Sequence, residues 1–327
     1  CMSKSNILIT GCAGFIGSHY LDILLDNGHK VIGVDSMTYA SKMSNFEQHM
    51  NNPNFEFHKV DICRTMFIVA LCEIHEIDYI INFAAETHVD NSILGSDCFI
   101  NSNVTGVKSL MEVCKRLEIP ICHISTDEVY GPIRLGSFSE ASKLSPQNYY
   151  SATKASAEHI VSAYANTFNI PYTMVRMSNN YGPRQHSEKF LPTIIKSIKE
   201  GTKIPLYGEG TQVRDWIYVK DSVNIIYSIL EEFDKFYEQP FSNQVYNVSL
   251  CDEKQNKEVV KTVLEVFEID HLWDVYVDNV EDRLGHDIRY SISNDKIADI
   301  TKNLESTNFK NGLKETIEYY DQFIQYK

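Results

Sequence analysis

A short strand pattern, Asn6 to Thr10 with Ile7, Leu8 and Ile9 at its centre, feeds directly into Gly11-Cys12-Ala13-Gly14-Phe15-Ile16-Gly17, and an amphipathic stretch from Phe15 to Asp26 follows at once. A strand that ends in a glycine turn and continues as a helix leaves few choices of fold. The glycines let the backbone pass close to itself or to a ligand, and the helix start presents free N–H groups. The same rhythm recurs as Lys30 to Asp35 with Lys42 to Met50, Phe55 to Asp61 with Arg64 to His75, and Tyr79 to Ala84 with a long helix near Cys98 to Leu117. It continues as Ile121 to Thr126, a helix from about Tyr150 to Phe168, and a strand Tyr172 to Ser178. Repeated βα units of this kind predict a doubly wound parallel α/β sheet of the Rossmann type, with helices on both faces.

Beyond Tyr181-Gly182-Pro183 the rhythm breaks into shorter mixed elements. Residues 2–178 are therefore expected to form a dinucleotide-binding domain, and residues 179–327 mainly a smaller α/β lobe for the substrate. Asp215 to Val219, a helix near Ser222 to Phe233, and Val245 to Val248 are expected to return to the main sheet.

With 43% hydrophobic residues in 327, the chain can bury a sizeable core. A formal charge of −14 disfavours nucleic acid and anionic membranes as partners, since both call for clustered Lys and Arg. No apolar run approaches the roughly 20 residues that span a bilayer, and Met2-Ser3-Lys4-Ser5-Asn6 lacks the cationic-then-apolar layout of a secretory signal. Residence in the cytoplasm follows as the expectation. The eight cysteines form no C-x-x-C pair and the histidines no H-E-x-x-H, so neither a disulfide frame nor a metal site is expected.

The glycine turn has the spacing G-x-x-G-x-x-G, and Asp35 ends the second strand 18 residues after Gly17. A carboxylate at that place accepts hydrogen bonds from ribose hydroxyls and repels a 2′-phosphate, which favours NAD over NADP. Asp61-Ile62 and Asn82-Phe83-Ala84-Ala85 end the third and fourth strands, on the edge where open α/β sheets bind ligands. Tyr150 and Lys154 stand four apart at the start of a helix and share a face. There the lysine, together with the positive nicotinamide ring, would lower the tyrosine pKa from about 10 toward neutrality and make it a base. Tyr149 competes for the role, but the residue four beyond it is Thr153. Strand Ile121 to Ser125 delivers Thr126-Asp127-Glu128 to the same sheet edge, where two carboxyls can divide acid and base work only if their environments separate them. The ordinary reading of such a triplet is a helix N-cap.

With these residues in place, the chain resembles the extended short-chain dehydrogenase/reductases, and more narrowly the nucleoside-diphosphate-glucose 4,6-dehydratases. The matching segments are Gly11 to Gly17, Ala84 to Asp90, Ser125 to Gly131, Tyr150 to Lys154, Ser178 to Gln185, Glu188-Lys189, Arg214 to Val219 and Asp282 to Asp287. The glycine and Tyr/Lys motifs mark the superfamily, and Thr126-Asp127-Glu128 points to the dehydratases. The resemblance implies an internal redox cycle with tightly held NAD. Tyr150, Lys154 and Thr126 would act at the sugar C4 hydroxyl, Glu128 as base at C5 and Asp127 as acid at C6. It also implies Gly11, Gly14, Phe15, Ile16, Gly17, Asp35, Asp61, Ile62, Ala84, Ala85, Thr87, Ser102 and Asn180 as NAD contacts. For the substrate it implies Thr87, Asn179, Glu188, Lys189, Tyr207, Arg214, Asn247, Arg283 and His286, with the two arginines on the diphosphate. Departures from the family pattern are Leu284 for a usual proline, Ser293 for an aspartate and Ser102 for a threonine. A homodimer through a four-helix bundle is a further implication. The base, dTDP or UDP, is left open, and rival readings are a nucleotide-sugar 4-epimerase, a UDP-glucuronate decarboxylase and a non-catalytic NAD-binding regulator.

Overall fold

The computed structural model describes residues 4–87, 97–235, 245–282 and 287–323. In chain order the first half contains β1 (Asn6–Thr10), α1 (Phe15–Asp26), β2 (Lys30–Asp35), β3 (Phe55–Lys59), α2 (Thr65–Ile74) and β4 (Tyr79–Asn82). A π-helical stretch, Ile100–Gly106, leads into α3 (Val107–Leu117), followed by β5 (Ile121–Thr126), a 3-10 turn (Asp127–Tyr130), α4 (Tyr149–Phe168) and β6 (Tyr172–Met177). The second half supplies β7 (Asn179–Tyr181), α5 (Phe190–Glu200), β8 (Ile204–Tyr207), β9 (Val213–Tyr218), α6 (Val219–Lys235), β10 (Val245–Val248), β11 (Glu253–Gln255), α7 (Asn256–Val266), β12 (Val277–Val280) and α8 (Phe309–Phe323).

Seven strands form one parallel sheet in the order β10-β6-β5-β4-β1-β2-β3. Strands buried on both faces must be apolar almost continuously, which is why Ile7, Leu8 and Ile9 are fully buried. On one face α1 and α6 pack Tyr20, Leu21 and Leu24 with Ile225, Ile226 and Ile229. The other face is covered by α2, α3 and α4 through Ile68, Leu110, Met111, Ala157 and Val161. Strand order reverses between β1 and β4, so a crevice opens at their carboxyl ends. Gly11 closes the bottom of that crevice with φ of 70°, and a Cβ there would lie 2.7 Å from the backbone nitrogen of Ala84.

Two expectations are corrected. The stretch Lys42 to Met50 forms two short 3-10 turns, Met43–Asn45 and Glu47–His49, rather than one helix. Strand β9 does not return to the main sheet. It pairs with β7 and β11 in a three-stranded sheet, because Trp216 and Tyr218 pack with Tyr181, Leu191 and Phe309 in a separate core. Val245–Val248 does return, pairing with β6 as the edge strand.

Candidate active site

The 3-10 turn that follows β5 exists because the Thr126 hydroxyl accepts a hydrogen bond from the Glu128 backbone N–H, so the ordinary N-cap reading holds alongside the chemical one. The cap faces Asp127 and Glu128 toward the start of α4. Asn148 caps α4 with its side chain on Ser151 N, and its amide also donates to Glu128 Oε2 at 3.1 Å. One asparagine thus fixes the helix that carries Tyr150 to the carboxylate beside it.

Two adjoining cavities meet at Tyr150. The first, above the glycine turn, is lined by all of the residues expected to hold NAD except Asn180: Gly11, Gly14, Phe15, Ile16, Gly17, Asp35, Asp61, Ile62, Ala84, Ala85, Thr87, Ser102, Tyr150 and Lys154. The second holds Thr126, Asp127, Glu128 and Tyr150 together with Thr87, Asn179, Glu188, Lys189, Tyr207 and Arg214. Asn180 lines this second cavity, its amide donating to Ser178 O while Ser222 donates to its oxygen. Asn247 lies in neither. It is fully buried on β10, where it accepts from the Tyr130 hydroxyl and donates to Phe138 O, so the expected substrate contact is corrected to a core position. Arg283 and His286 lie outside the described residues, as do His88 to Asp90.

A dinucleotide fits the first cavity. At Gly17 a Cβ would come within 2.2 Å of Gly11 O, so the turn closes only with glycine and leaves its backbone bare to the cavity. Asp35 is buried rather than solvated, accepting from Ala13 N, Met37 N and Ser41 Oγ at 3.0, 2.8 and 2.8 Å. It therefore locks the glycine turn as well as lining the cavity, where a ribose role for it can be tested. Hydrogen bonds to a charged group are worth about 1.5–3 kcal/mol each, so Asp35→Ala is expected to weaken NAD binding by tenfold or more. Titration calorimetry checks this, and unchanged affinity would remove the ribose role.

The chemical end separates its two carboxyls. Asp127 is buried, and burial followed by the neighbouring Glu128 pushes its pKa up to about 8. Its Oδ1 accepts from Thr126, while Oδ2 has no hydrogen-bond partner among the described residues. A buried, unpartnered carboxyl oxygen is costly as an anion, so the proton stays. Glu128 is half-buried and placed as an acceptor by Asn148.

Burial, then Glu128 and Asp127, raise the Tyr150 pKa, and only the hydrogen bond with Thr126 opposes them. Of the two cations invoked, the protein itself supplies only Lys154. Its Nζ donates to Ile124 O at 2.6 Å, and burial lowers its own pKa to about 8. Tyr149 is 61% exposed and lines neither cavity, which leaves Tyr150 as the phenol at the junction.

Arg214 is buried as well, donating to Val213 O and Asp287 O and lying 4.7 Å from the centre of the Tyr290 ring. Lys189 donates to Thr87 O across the two cavities. Sequence reasoning missed Asn103, whose buried amide holds Glu86 N, Glu86 O and Thr153 Oγ1 and so fixes the loop after β4 to α4. An asparagine inside a long helical pattern, where its propensity is poor, was the available signal. It also missed a grouping of Glu56 and His58 on edge strand β3 with His75 at the end of α2, whose ligand atoms lie within 4.8 Å of one another. Imidazole–carboxylate contacts of 2.8 and 3.7 Å account for that grouping.

A doubly wound sheet with a glycine crevice, and a Tyr/Lys helix opening onto a second, polar cavity, define the extended short-chain dehydrogenase/reductase class. The chain belongs to the family described as GDP-mannose 4,6 dehydratase, which matches residues 8–316. It is 38% identical to the low-salt glycan biosynthesis protein Agl12 of Haloferax volcanii, over 96% of this chain and 98% of that one. It is 36% identical to the dTDP-glucose 4,6-dehydratase of Haemophilus influenzae, over 96% and 97% of the two chains. Among solved structures, the dTDP-glucose 4,6-dehydratase DesIV of Streptomyces venezuelae, with NAD and TYD bound, superposes with a TM-score of 0.89 at 34% identity, covering 97% of each chain.

Proposed function

We propose that this protein is an NAD-dependent nucleoside-diphosphate-glucose 4,6-dehydratase, a hydro-lyase that converts dTDP-glucose or UDP-glucose to the 4-keto-6-deoxyglucose nucleotide and water. Its place would be the cytoplasmic synthesis of a deoxyhexose such as rhamnose. The observation that carries the reading is the buried Asp127 carboxyl, its Oδ2 without a hydrogen-bond partner among the described residues, beside Glu128 in the cavity that also holds Tyr150. A 4-epimerase or a UDP-glucuronate decarboxylase has no use for an acid at C6 and a base at C5.

NAD, which Gly11, Gly14, Gly17 and Asp35 would hold, would supply hydride acceptance at C4 and hydride donation at C6. Tyr150 takes the proton of the C4 hydroxyl while Thr126 holds that oxygen, and Lys154 places a positive charge on the same helix face. The resulting 4-keto group acidifies the C5 proton, which Glu128 removes. Asp127 then gives its proton to the departing C6 hydroxyl, water leaves, and C5 takes up a proton as C6 gains hydride. Arg214, Asn179, Glu188, Lys189 and Tyr207 hold the sugar nucleotide, together with Arg283 and His286, and the planar fork of Arg214 suits a diphosphate. Residues 2–178 with α6 and β10 would form the NAD domain, the rest of residues 179–327 mainly the sugar-nucleotide lobe, and α3 with α4 the homodimer face.

Activity should decline as pH rises through about 8, where Asp127 loses its proton and Lys154 its charge. The stability Asp127 contributes has the same sign. The folded pKa lies above the unfolded one, so the contribution is complete below the ordinary carboxyl range and is lost as pH rises through about 8. Rate and melting profiles across that window check both, and a rate still rising past it would contradict the protonated acid. The function itself is tested by incubating the protein with dTDP-glucose and with UDP-glucose and identifying the product. A 4-keto-6-deoxy sugar nucleotide is expected, and formation of only the C4 epimer would overturn the reading.

A further inference from the structure

Behind the cavity wall lies a buried ion pair that the mechanism does not use. Arg176 on β6 grips both carboxylate oxygens of Glu158 on α4, with Nε 3.1 Å from each and Nη2 2.6 Å from Oε2. Both side chains are nearly inaccessible to water. Glu158 lies one turn beyond Lys154 and two beyond Tyr150, on the same helix face. Ser125 Oγ, at the end of β5, donates to Glu158 Oε1 at 2.5 Å. Arg176 Nη1 donates to the Tyr130 hydroxyl at 2.5 Å, and that hydroxyl donates onward to Asn247 Oδ1 at 2.8 Å. Tyr130 is the last residue of the 3-10 turn that carries Asp127 and Glu128.

Every segment bearing a proposed catalytic group is therefore tied to one pair: α4 through Glu158 itself, β5 through Ser125, and the acid turn through Tyr130. A buried ion pair is weak as a source of stability, but it fixes geometry well when every donor is satisfied. We propose that Arg176 and Tyr130, anchored by Glu158, are positioning residues that set the Asp127–Glu128 turn against the Tyr150–Lys154 face, and that this registration serves water loss more than C4 oxidation. The inference rests on the dehydratase reading above.

Removing Glu158 would strand a buried cation and threaten the fold, so the link to the turn is the part to cut. Tyr130→Phe keeps the ring that stacks on Phe138 and lies against Arg176 and loses only the hydroxyl. Arg176→Lys keeps a cation for Glu158 but loses the fork that reaches Tyr130. Because a displacement of about 1 Å costs on the order of 10²-fold, elimination in either variant should slow by about tenfold or more. With dTDP-glucose as the probe, reduced nicotinamide should then accumulate during turnover and be seen by near-ultraviolet absorbance. The isotope effect from deuterium at C5 should grow, while that from deuterium at C4 should fade. The double variant should be little worse than either single one, since both cut the same link. A folded variant, judged by its melting curve, whose two half-reactions slow in proportion or not at all would overturn the positioning role while leaving the dehydratase reading standing. A wild-type protein that forms no 4-keto-6-deoxy product would overturn both.

Discussion

Asp127→Asn is expected to slow water loss by about 10²–10⁴-fold, the usual contribution of a positioned general acid, while C4 oxidation continues. Asparagine preserves the size of the side chain and can still accept from Thr126, but it has no proton to give the C6 hydroxyl. The enzyme should then stall with the sugar oxidised at C4, and reduced nicotinamide should build up in a single turnover. A second consequence comes from the raised pKa. Substitution removes the buried group that must ionise as pH rises through about 8, so the variant should lose less stability than the wild type on the alkaline side. Equal slowing of oxidation and elimination would remove Asp127 from the role of acid.

Tyr150→Phe is expected to act on the other half of the cycle, slowing C4 oxidation by about 10²–10⁴-fold with little change in substrate affinity. The ring is buried and packing is kept; only the hydroxyl that meets Thr126 is lost. Deuterium at C4 should give the larger isotope effect in this variant, in contrast to Asp127→Asn. Because burial and the two carboxyls favour the neutral phenol in the protein alone, the base form depends on positive charge near the junction. Lys154→Met should therefore shift the rate profile toward higher pH rather than only lower its maximum. An unaffected oxidation rate in Tyr150→Phe would mean that the base is another group.

Much of this was legible in the sequence, for identifiable reasons. Strand β5 and the start of α4 were placed to within a residue, β5 by its place in the repeating βα rhythm and α4 by Tyr150 and Lys154 four residues apart. The positions lining the first cavity follow from topology, since the carboxyl ends of parallel strands converge where the strand order reverses. Several failures were set by long-range packing. β9 reads as one more strand for the main sheet, yet its aromatic residues find partners in the second core. Asn247 reads as a polar group at a strand end, yet Tyr130 and Phe138 claim its amide. Lys154 and Tyr150 share a helix face as expected, but the balance of burial against charge that sets their pKa values depends on Ile124 and on the depth of the site, which no spacing reveals.

The central claim is that one cavity removes hydride at C4 and water across C5 and C6 of the same sugar. Incubating the NAD-loaded protein with dTDP-glucose deuterated at C4, and locating the label by NMR, tests it most directly. A 4-keto-6-deoxyglucose nucleotide with deuterium at C6 is expected. Label found back on C4 of an epimerised sugar would contradict it.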